Sequence, residues 1–248
     1  MSGGNRFFIC EVIVTQRFPN HVAFIMDGNG RWAESQGLPR PFGHQAGAET
    51  VRRIVTHTRK LGIPHLTLYA FSTENWSRPQ AEVDALMHLL ADYIEAEVPT
   101  MLDKGVNLRI IGDVAKLPDN LRRKVDNARQ ATARCRDLTL CLAINYGGRD
   151  EIIRAAQKAM RQLVVDGEPP ERLDAELLSA NLDTAGLPDP DLVIRTAGEM
   201  RLSNFLVWQA AYAELIFTPR RWPEFSEADY DAALGEYATR VRKFGGTA

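Results

Sequence analysis

Asp27 is followed at once by Gly28, Asn29, Gly30 and Arg31, with Arg40 and His44 a short distance further on. Two glycines around Asn29 let the backbone bend sharply and turn N–H groups toward an anion. Arg31, Arg40 and His44 add positive charge to the same stretch, and Gly43-His44 reads as the opening of a helix, whose N-terminus favours a phosphate. Asp27 closes an apolar run, where a carboxylate needs a cation or hydrogen-bond donors to stay charged. Alone, Asp-Gly-Asn-Gly is an ordinary turn with solvated arginines beside it. A strand end, a glycine loop, three cationic side chains and a helix start together describe a site for a diphosphate.

Three further segments carry similar chemistry. Ser72-Thr73-Glu74-Asn75-Trp76-Ser77-Arg78 offers polar donors and another cation; an N-capped loop explains Ser77 before Pro79, but explains Trp76 and Arg78 less well. Asn145-Tyr146-Gly147-Gly148-Arg149 is either a tight turn or a loop that approaches a ligand. In Arg195–Asn204, Arg195 and Arg201 can grip phosphate oxygens with paired N–H groups, and Ser203 can both cap a helix starting there and face the anion. Glu214 reads as a surface carboxylate, a Mg²⁺ ligand or a partner of the arginines. Arg31, Arg40, Arg78, Arg195 and Arg201 all fall after apolar runs. Two diphosphates need about that much positive charge together with a hard cation such as Mg²⁺. Neither GxxxxGK[ST] nor GxGxxG after a strand is present, which excludes those nucleotide-binding loops.

The elements that must position these residues alternate. Apolar runs at 21–26, 65–71, 106–111, 138–144, 192–194 and 215–217 show little period-two alternation, as strands buried on both faces do. Helical patterns lie near 44–61, 80–103, 118–134, 149–165, 173–181, 203–211 and 226–243. The expectation is an α/β fold: one domain over 18–248, a mostly parallel six-stranded sheet with helices on both faces, and an N-terminal extension over 1–17. In such sheets ligands bind beyond the carboxyl ends of the strands, which is where the segments above fall. The helix at 80–103 repeats Val83, Leu86, Met87, Leu90 and Ile94 at helical spacing. That stripe is either a core face or the lining of a tunnel for a hydrocarbon tail.

The chain has 248 residues, 30 Lys and Arg against 32 Asp and Glu, and a net charge of −2. That balance gives no support to a general nucleic-acid partner. Three cysteines without a CxxC pair argue against a disulfide framework or structural zinc, and for reduced thiols in a cytoplasmic protein. No apolar run approaches the ~18 residues that cross a bilayer. The run Phe7–Val14 is short, broken by Glu11 and without a basic leader, so it does not read as a signal peptide. An edge strand, a dimer contact, a membrane-touching segment and an upstream extension remain open for it.

Longer matches single out a family. The stretches His21-Val-Ala-Phe-Ile-Met-Asp-Gly-Asn-Gly-Arg-Trp32, Gly43-His44, Tyr69-Ala-Phe-Ser-Thr-Glu-Asn-Trp-Ser-Arg78, Asn145-Tyr-Gly-Gly-Arg149, and Asp191-Leu-Val-Ile-Arg-Thr196 running to Trp208-Gln209 and Glu214 resemble bacterial undecaprenyl diphosphate synthases of the cis-prenyltransferase family. The resemblance spans about 18–246. It implies Mg²⁺-dependent extension of an allylic diphosphate, usually farnesyl diphosphate, by successive isopentenyl diphosphate units. Each new double bond is cis, and the product is a long-chain lipid-carrier precursor for cell-wall synthesis. It implies that Gly28, Asn29, Gly30, Arg31, Arg40 and His44 hold the allylic diphosphate, with Arg78 and the Ser72, Thr73, Glu74 and Asn75 loop close by. Arg195, Arg201 and Ser203 hold isopentenyl diphosphate, with Leu202 in the same segment. Asp27 and Glu214 place Mg²⁺, Trp32 and Trp76 pack near the substrates, and Asp27 and Asn75 organise proton loss. A homodimer and transient contact with the cytoplasmic membrane surface are implied as well. Met200 departs from the pattern, standing where relatives often carry histidine. A short- or medium-chain synthase, a non-catalytic accessory subunit and another phosphoanhydride enzyme are the competing readings.

Overall fold

The structure, a computed structural model, describes residues 18–240. The expected extension over 1–17, Cys10 and the end of the helix expected to run to 243 lie outside them.

Six strands form one sheet: β1 (His21–Ile25), β2 (His65–Ser72), β3 (Val106–Ile111), β4 (Leu138–Tyr146), β5 (Leu192–Arg195) and β6 (Glu214–Phe217). Their order is β3-β4-β2-β1-β5-β6, and every neighbouring pair is parallel. Among the described residues seven α-helices accompany them: α1 (Asn29–Ser35), α2 (Arg40–Lys60), α3 (Gln80–Asp103), α4 (Asp119–Thr132), α5 (Gly148–Asp166), α6 (Ala175–Asn181) and α7 (Glu227–Thr239).

The strands are apolar throughout because both faces are covered. Val22, Phe24, Leu66, Leu68, Leu140 and Ile194 enter one cluster with Ile54 of α2, Ile94 of α3, Val125 of α4 and Tyr230 of α7. Ala23, Ile25, Ala143 and Val193 turn the other way and meet Phe205, Leu206 and Ala210. The alternating side-chain direction of a strand splits the core into these two layers. On the second face α5 is tied down by Glu151, whose buried carboxylate accepts the Tyr146 hydroxyl at 2.5 Å.

Three local expectations change. The glycine-rich stretch after β1 is more ordered than a loop: α1 begins at Asn29, capped by Gly28 at φ 100°. α2 begins at Arg40, so Gly43 and His44 sit inside its first turns rather than at its start. Residues 203–211 do not form a helix. Ser203, Asn204 and Leu206 have φ values of 49°, 63° and 44°, in the left-handed region, and only a 3₁₀ turn at Gln209–Tyr212 follows. Ser203 therefore caps nothing.

Candidate active site

β1 connects onward to β2 on one side, while β5, which returns to pair with it on the other side, leads to β6. This reversal opens a crevice beyond the carboxyl ends of β1 and β5. Ile25 and Arg195 are ladder partners there, which brings the residues after β1 against the end of β5. Arg195 Nη2 donates to Asp27 Oδ2 at 3.0 Å, and Arg31 Nη2 lies 3.3 Å from Asp27 Oδ1. The Gly28 N–H donates to Asp27 Oδ1 at 2.6 Å, while Thr196 Oγ1 accepts the Asp27 N–H at 2.9 Å. Burial alone favours the protonated acid. The Arg195 hydrogen bond, the charges of Arg31 and Arg195 and the Gly28 N–H outweigh it and hold this carboxyl below its ordinary range. Asp27 is thus a carboxylate, and a weak base.

Gly28 is required here by packing and backbone conformation, and Gly30 leaves room for a guanidinium. A Cβ on Gly28, besides needing φ 100°, would stand 2.9 Å from the Cβ atoms of Ala197 and Arg221. A Cβ on Gly30 would stand 2.6 Å from Arg40 Cζ, so the bare backbone lets that guanidinium lie against α1.

A second cationic group is gathered by a residue that the sequence did not single out. Glu82, in the first turn of α3, accepts from Arg78 Nη1 at 3.0 Å and lies 3.7 Å from Arg40 Nε and 3.9 Å from His44 Nε2. Three positive or potentially positive groups from α2 and from the loop after β2 thus share one carboxylate. Burial first, and then the charges of Arg78 and Arg40 against the opposing pull of Glu82, lower the His44 pKa to about 4. The imidazole is neutral near pH 7, and its buried Nε2 has no hydrogen-bond partner.

Beyond β5, Arg195 is buried. Its Nη1 donates to the Arg201 carbonyl at 2.5 Å and to Ser203 Oγ at 2.7 Å, while Nε has no partner. Glu199 bridges Arg31 at 3.2 Å and Arg201 at 2.5 Å. Asn204, also not singled out, joins three loops. Its Nδ2 donates to Glu74 at 2.9 Å, its Oδ1 accepts the Arg149 N–H at 2.9 Å, and its carbonyl accepts the Gly148 N–H at 2.7 Å.

These groups line one cavity of about 630 Å³. Asp27, Gly28, Asn29, Gly30, Arg31, Arg40, His44, Ser72, Glu74, Asn75, Arg78, Arg195 and Ser203 form its polar end, joined by Tyr69 and Asn204. Val51, Leu68, Leu86, Leu89, Leu90 and Leu142 are among the residues that wall its apolar part. The stripe on α3 therefore serves both core and cavity: Met87 and Ile94 pack inward, whereas Leu86, Leu89 and Leu90 line the space. The unpartnered, buried Nε2 of His44 and Nε of Arg195 both belong to residues of the polar end. Buried polar atoms without partners are rare, and these two fit an anion arriving there.

Six expected residues do not line this cavity. Thr73 packs at Gly147, Arg201 pairs with Glu199, and Trp32 and Leu202 are half-buried beside the site. Trp76 Nε1 donates to Asn145 Oδ1 at 2.7 Å, and its ring meets Phe71 edge-on. The strand-to-helix junction is accordingly tight, with Gly147 alone between β4 and α5, and it packs on Trp76 through Asn145 and on Asn204 through Gly148. Glu214 is a correction. It opens β6 beside Leu192, level with Val22 at the amino end of the sheet, about 16 Å of strand before Asp27 at ~3.3 Å per residue. It accepts from Arg240 Nη1 at 2.8 Å. Within one chain it is an arginine partner and does not share a metal with Asp27.

Asn75 Oδ1 accepts the Ser72 N–H at 3.0 Å, which fixes the amide at the cavity wall. A carboxamide orients but does not take up a proton. Among the described residues no three His, Cys, Asp or Glu side chains form a metal cluster. Asp27 and Glu74 are the carboxylates that line the cavity, and Asp27 is the one held between Arg31 and Arg195. Mg²⁺ is commonly held by one or two carboxylates plus substrate phosphates and water, and this donor set fits that pattern.

A cationic, partly unpaired head beside an apolar cavity at the switch point of a parallel sheet suits an anionic group carried on a hydrocarbon. The family described as "Putative undecaprenyl diphosphate synthase" matches residues 25–245. Isoprenyl transferase of Brucella abortus is 51% identical over 92% of this chain and 90% of its own length, and that of Listeria innocua is 50% identical over the same shares. Lavandulyl diphosphate synthase from Lavandula x intermedia, solved with dimethylallyl diphosphate, superposes with a TM-score of 0.89 at 37% identity, over 92% of this chain and 98% of that one. A "probable undecaprenyl diphosphate synthase" from Campylobacter jejuni gives 0.77 at 34%, over 92% and 99%. The chain belongs to the undecaprenyl diphosphate synthase family of cis-prenyltransferases, and it is a transferase. No helix among the described residues is long and apolar enough to cross a membrane.

Proposed function

We propose that the enzyme extends an allylic diphosphate, farnesyl diphosphate being the expected primer, by cis addition of isopentenyl units to give a long-chain polyprenyl diphosphate. The observation that carries this reading is one cavity of about 630 Å³ with charge at one end and hydrocarbon walls at the other. The allylic diphosphate sits among Arg31, Arg40, His44 and Arg78, with its tail along Leu86, Leu89 and Leu90. The isopentenyl diphosphate sits at Arg195 and Ser203, with Arg201 at the rim.

The allylic C–O bond breaks and the diphosphate leaves with both electrons. Preorganised arginines and N–H groups stabilise that charge as it develops. The isopentenyl double bond attacks the allylic carbon to form the new C–C bond, and the proton lost to restore a double bond passes to an oxygen of the departed diphosphate. The apolar walls keep water from the cationic carbon. Asp27 would hold Mg²⁺ together with diphosphate oxygens, and the metal supplies further neutralisation of the leaving group. Asn75 orients substrate at the wall.

Purified enzyme given farnesyl diphosphate, labelled isopentenyl diphosphate and Mg²⁺ is expected to yield a ladder of prenyl products on chromatography. Chelation with EDTA is expected to abolish it, and excess Mg²⁺ to restore it. Release of inorganic phosphate without chain growth would replace this reading with a phosphatase.

A further inference from the structure

The polar end of the cavity is assembled from separate strand ends. β2 leads into the turn that carries Asn75 and Arg78, and β5 leads into the segment Arg195–Asn204. β1 lies between those two strands and delivers Asp27. A hydrogen bond spans the gap: Asn204 Nδ2 donates to Glu74 Oε1 at 2.9 Å. Both residues line the cavity, as Asp27 does. The bond is a strap from the β2 side to the β5 side, past the strand that carries Asp27.

Each end of the strap is fixed. Glu74 belongs to the 3₁₀ turn Thr73–Ser77, which closes on itself. Asn75 Oδ1 accepts the Ser72 N–H at 3.0 Å, the Ser72 side chain accepts from the Asn75 backbone, and Ser77 Oγ donates to the Glu74 carbonyl at 2.7 Å. The turn is a unit, so whatever holds Glu74 also holds Asn75. At the other end Phe205 is fully buried and stacks on Tyr69 of β2, with ring centres 4.5 Å apart. Beside that anchor Asn204 sits at φ 63°, a left-handed conformation that Asn adopts more readily than most residues. Its Oδ1 accepts the Arg149 N–H and its carbonyl accepts the Gly148 N–H, which leaves the NH₂ edge of the amide for Glu74. Gly147 leaves room for that edge, since a Cβ there would stand 2.8 Å from Asn204 Nδ2. Burial raises the Glu74 pKa, but the hydrogen bond from Asn204 leads the groups that outweigh it, so Glu74 meets the amide as a carboxylate.

We propose that Asn204 is a positioning residue for the condensation: by holding Glu74 it sets the turn that bears Asn75 against Arg195 and Ser203, and so fixes how the two substrates meet. This rests on the chain-elongating reading above. Ser203 precedes Asn204 and accepts from Arg195 Nη1 at 2.7 Å, so the isopentenyl pocket and the strap share one segment. Losing the strap leaves the cations of each pocket in place. It lets the allylic carbon and the isopentenyl double bond drift apart, so the cost falls on the chemical step and not on binding.

The test uses substitutions that keep the left-handed backbone. Asn204→Gly suits φ 63° and retains the carbonyl for Gly148 while removing the amide. Asn204→Asp retains an acceptor for the Arg149 N–H but sets a carboxylate against Glu74. Adding Glu74→Gln restores a hydrogen bond with donor and acceptor exchanged. The first isopentenyl addition, measured in single turnover with both substrates saturating, is expected to slow at least about tenfold in Asn204→Gly and in Asn204→Asp. The KM for either substrate is expected to stay within about twofold. In the Glu74→Gln background, Asn204→Asp is expected to cost less than about twofold. An equal loss from Asn204→Asp in both backgrounds overturns the strap, as does a wild-type rate in a folded Asn204→Gly or a rise in KM alone. If Asn204→Gly does not fold, judged by circular dichroism, the Asn204→Asp and Glu74→Gln cycle decides. Each of these failures leaves chain elongation standing, whereas a wild type that makes no prenyl product overturns the functional reading and the strap with it.

Discussion

Asp27 and Arg195, 168 positions apart in the chain, hold one another at 3.0 Å across the boundary between β1 and β5. The carboxylate neutralises an arginine that is only 5% exposed, and the arginine keeps the carboxylate ionised. The site thus carries its main charges already aimed before substrate arrives, as electrostatic preorganisation requires.

Replacing Asp27 by Asn keeps the shape and removes the charge. kcat/KM is expected to fall at least about a hundredfold, or ~3 kcal/mol, the scale of losing one preorganised electrostatic group. Metal-free inorganic diphosphate should bind no more weakly, because Arg31 and Arg195 lose a competing anion. Steady-state kinetics and calorimetry check the two halves separately, and weaker diphosphate binding would contradict the assigned role.

Glu82 acts through its partners. Glu82→Ala releases Arg40, Arg78 and His44 from a common orientation, so the KM for the allylic substrate should rise about tenfold, near 1.4 kcal/mol. The KM for isopentenyl diphosphate should hardly move, since Arg195 and Ser203 lie across the cavity. Equal rises in both would mean that Glu82 merely stabilises the fold.

Gly28→Ala puts a side chain where φ is 100° and where Ala197 and Arg221 already stand. Backbone strain and overlap together should destabilise by about 2–4 kcal/mol. At roughly 2–4 °C per kcal/mol for a chain of this size, melting should occur about 4–16 °C earlier, readable by differential scanning fluorimetry.

His21 links stability to pH. Burial lowers its pKa from 6.5 to about 4, aided by His65 and opposed by the Pro188 carbonyl, which its Nδ1 approaches at 2.7 Å, and by Asp191. Between pH 6.5 and 4 the unfolded chain binds the proton that the folded chain refuses. Stability is complete above pH 6.5 and declines as pH falls through that window, by up to about 3 kcal/mol from this group. His44 and His65, also lowered, act in the same direction. Urea midpoints over this range should show the decline, with a shallower slope in His21→Gln.

The sheet was readable because strands covered on both faces are uniformly apolar, and the carboxyl-end rule then located Asp27, Ser72 and Arg195 correctly. Reading failed where partners are remote or the backbone is set by packing. Glu82 looks like any acidic residue in a first helical turn; its importance comes from Arg40, His44 and Arg78, none of which neighbours it in α3. Glu214 sits in a suggestive motif, yet its level in the sheet follows from strand register. Ser203 and Leu206 adopt left-handed conformations that their own propensities do not signal, and Asn29 starts a helix between two glycines that read as a turn.

The pairing of β1 with β5 also has a consequence in time. Val22–Ile25 is wholly buried and uncharged, and its β5 neighbour is made about 170 residues later. At 5–20 residues per second, that is roughly 10–30 s of synthesis during which one flank of this strand waits, hydrogen-bonding groups open, for the segment that will cover it. Birth on the ribosome, more than any condition of the finished enzyme, is when this chain most needs protection from its neighbours.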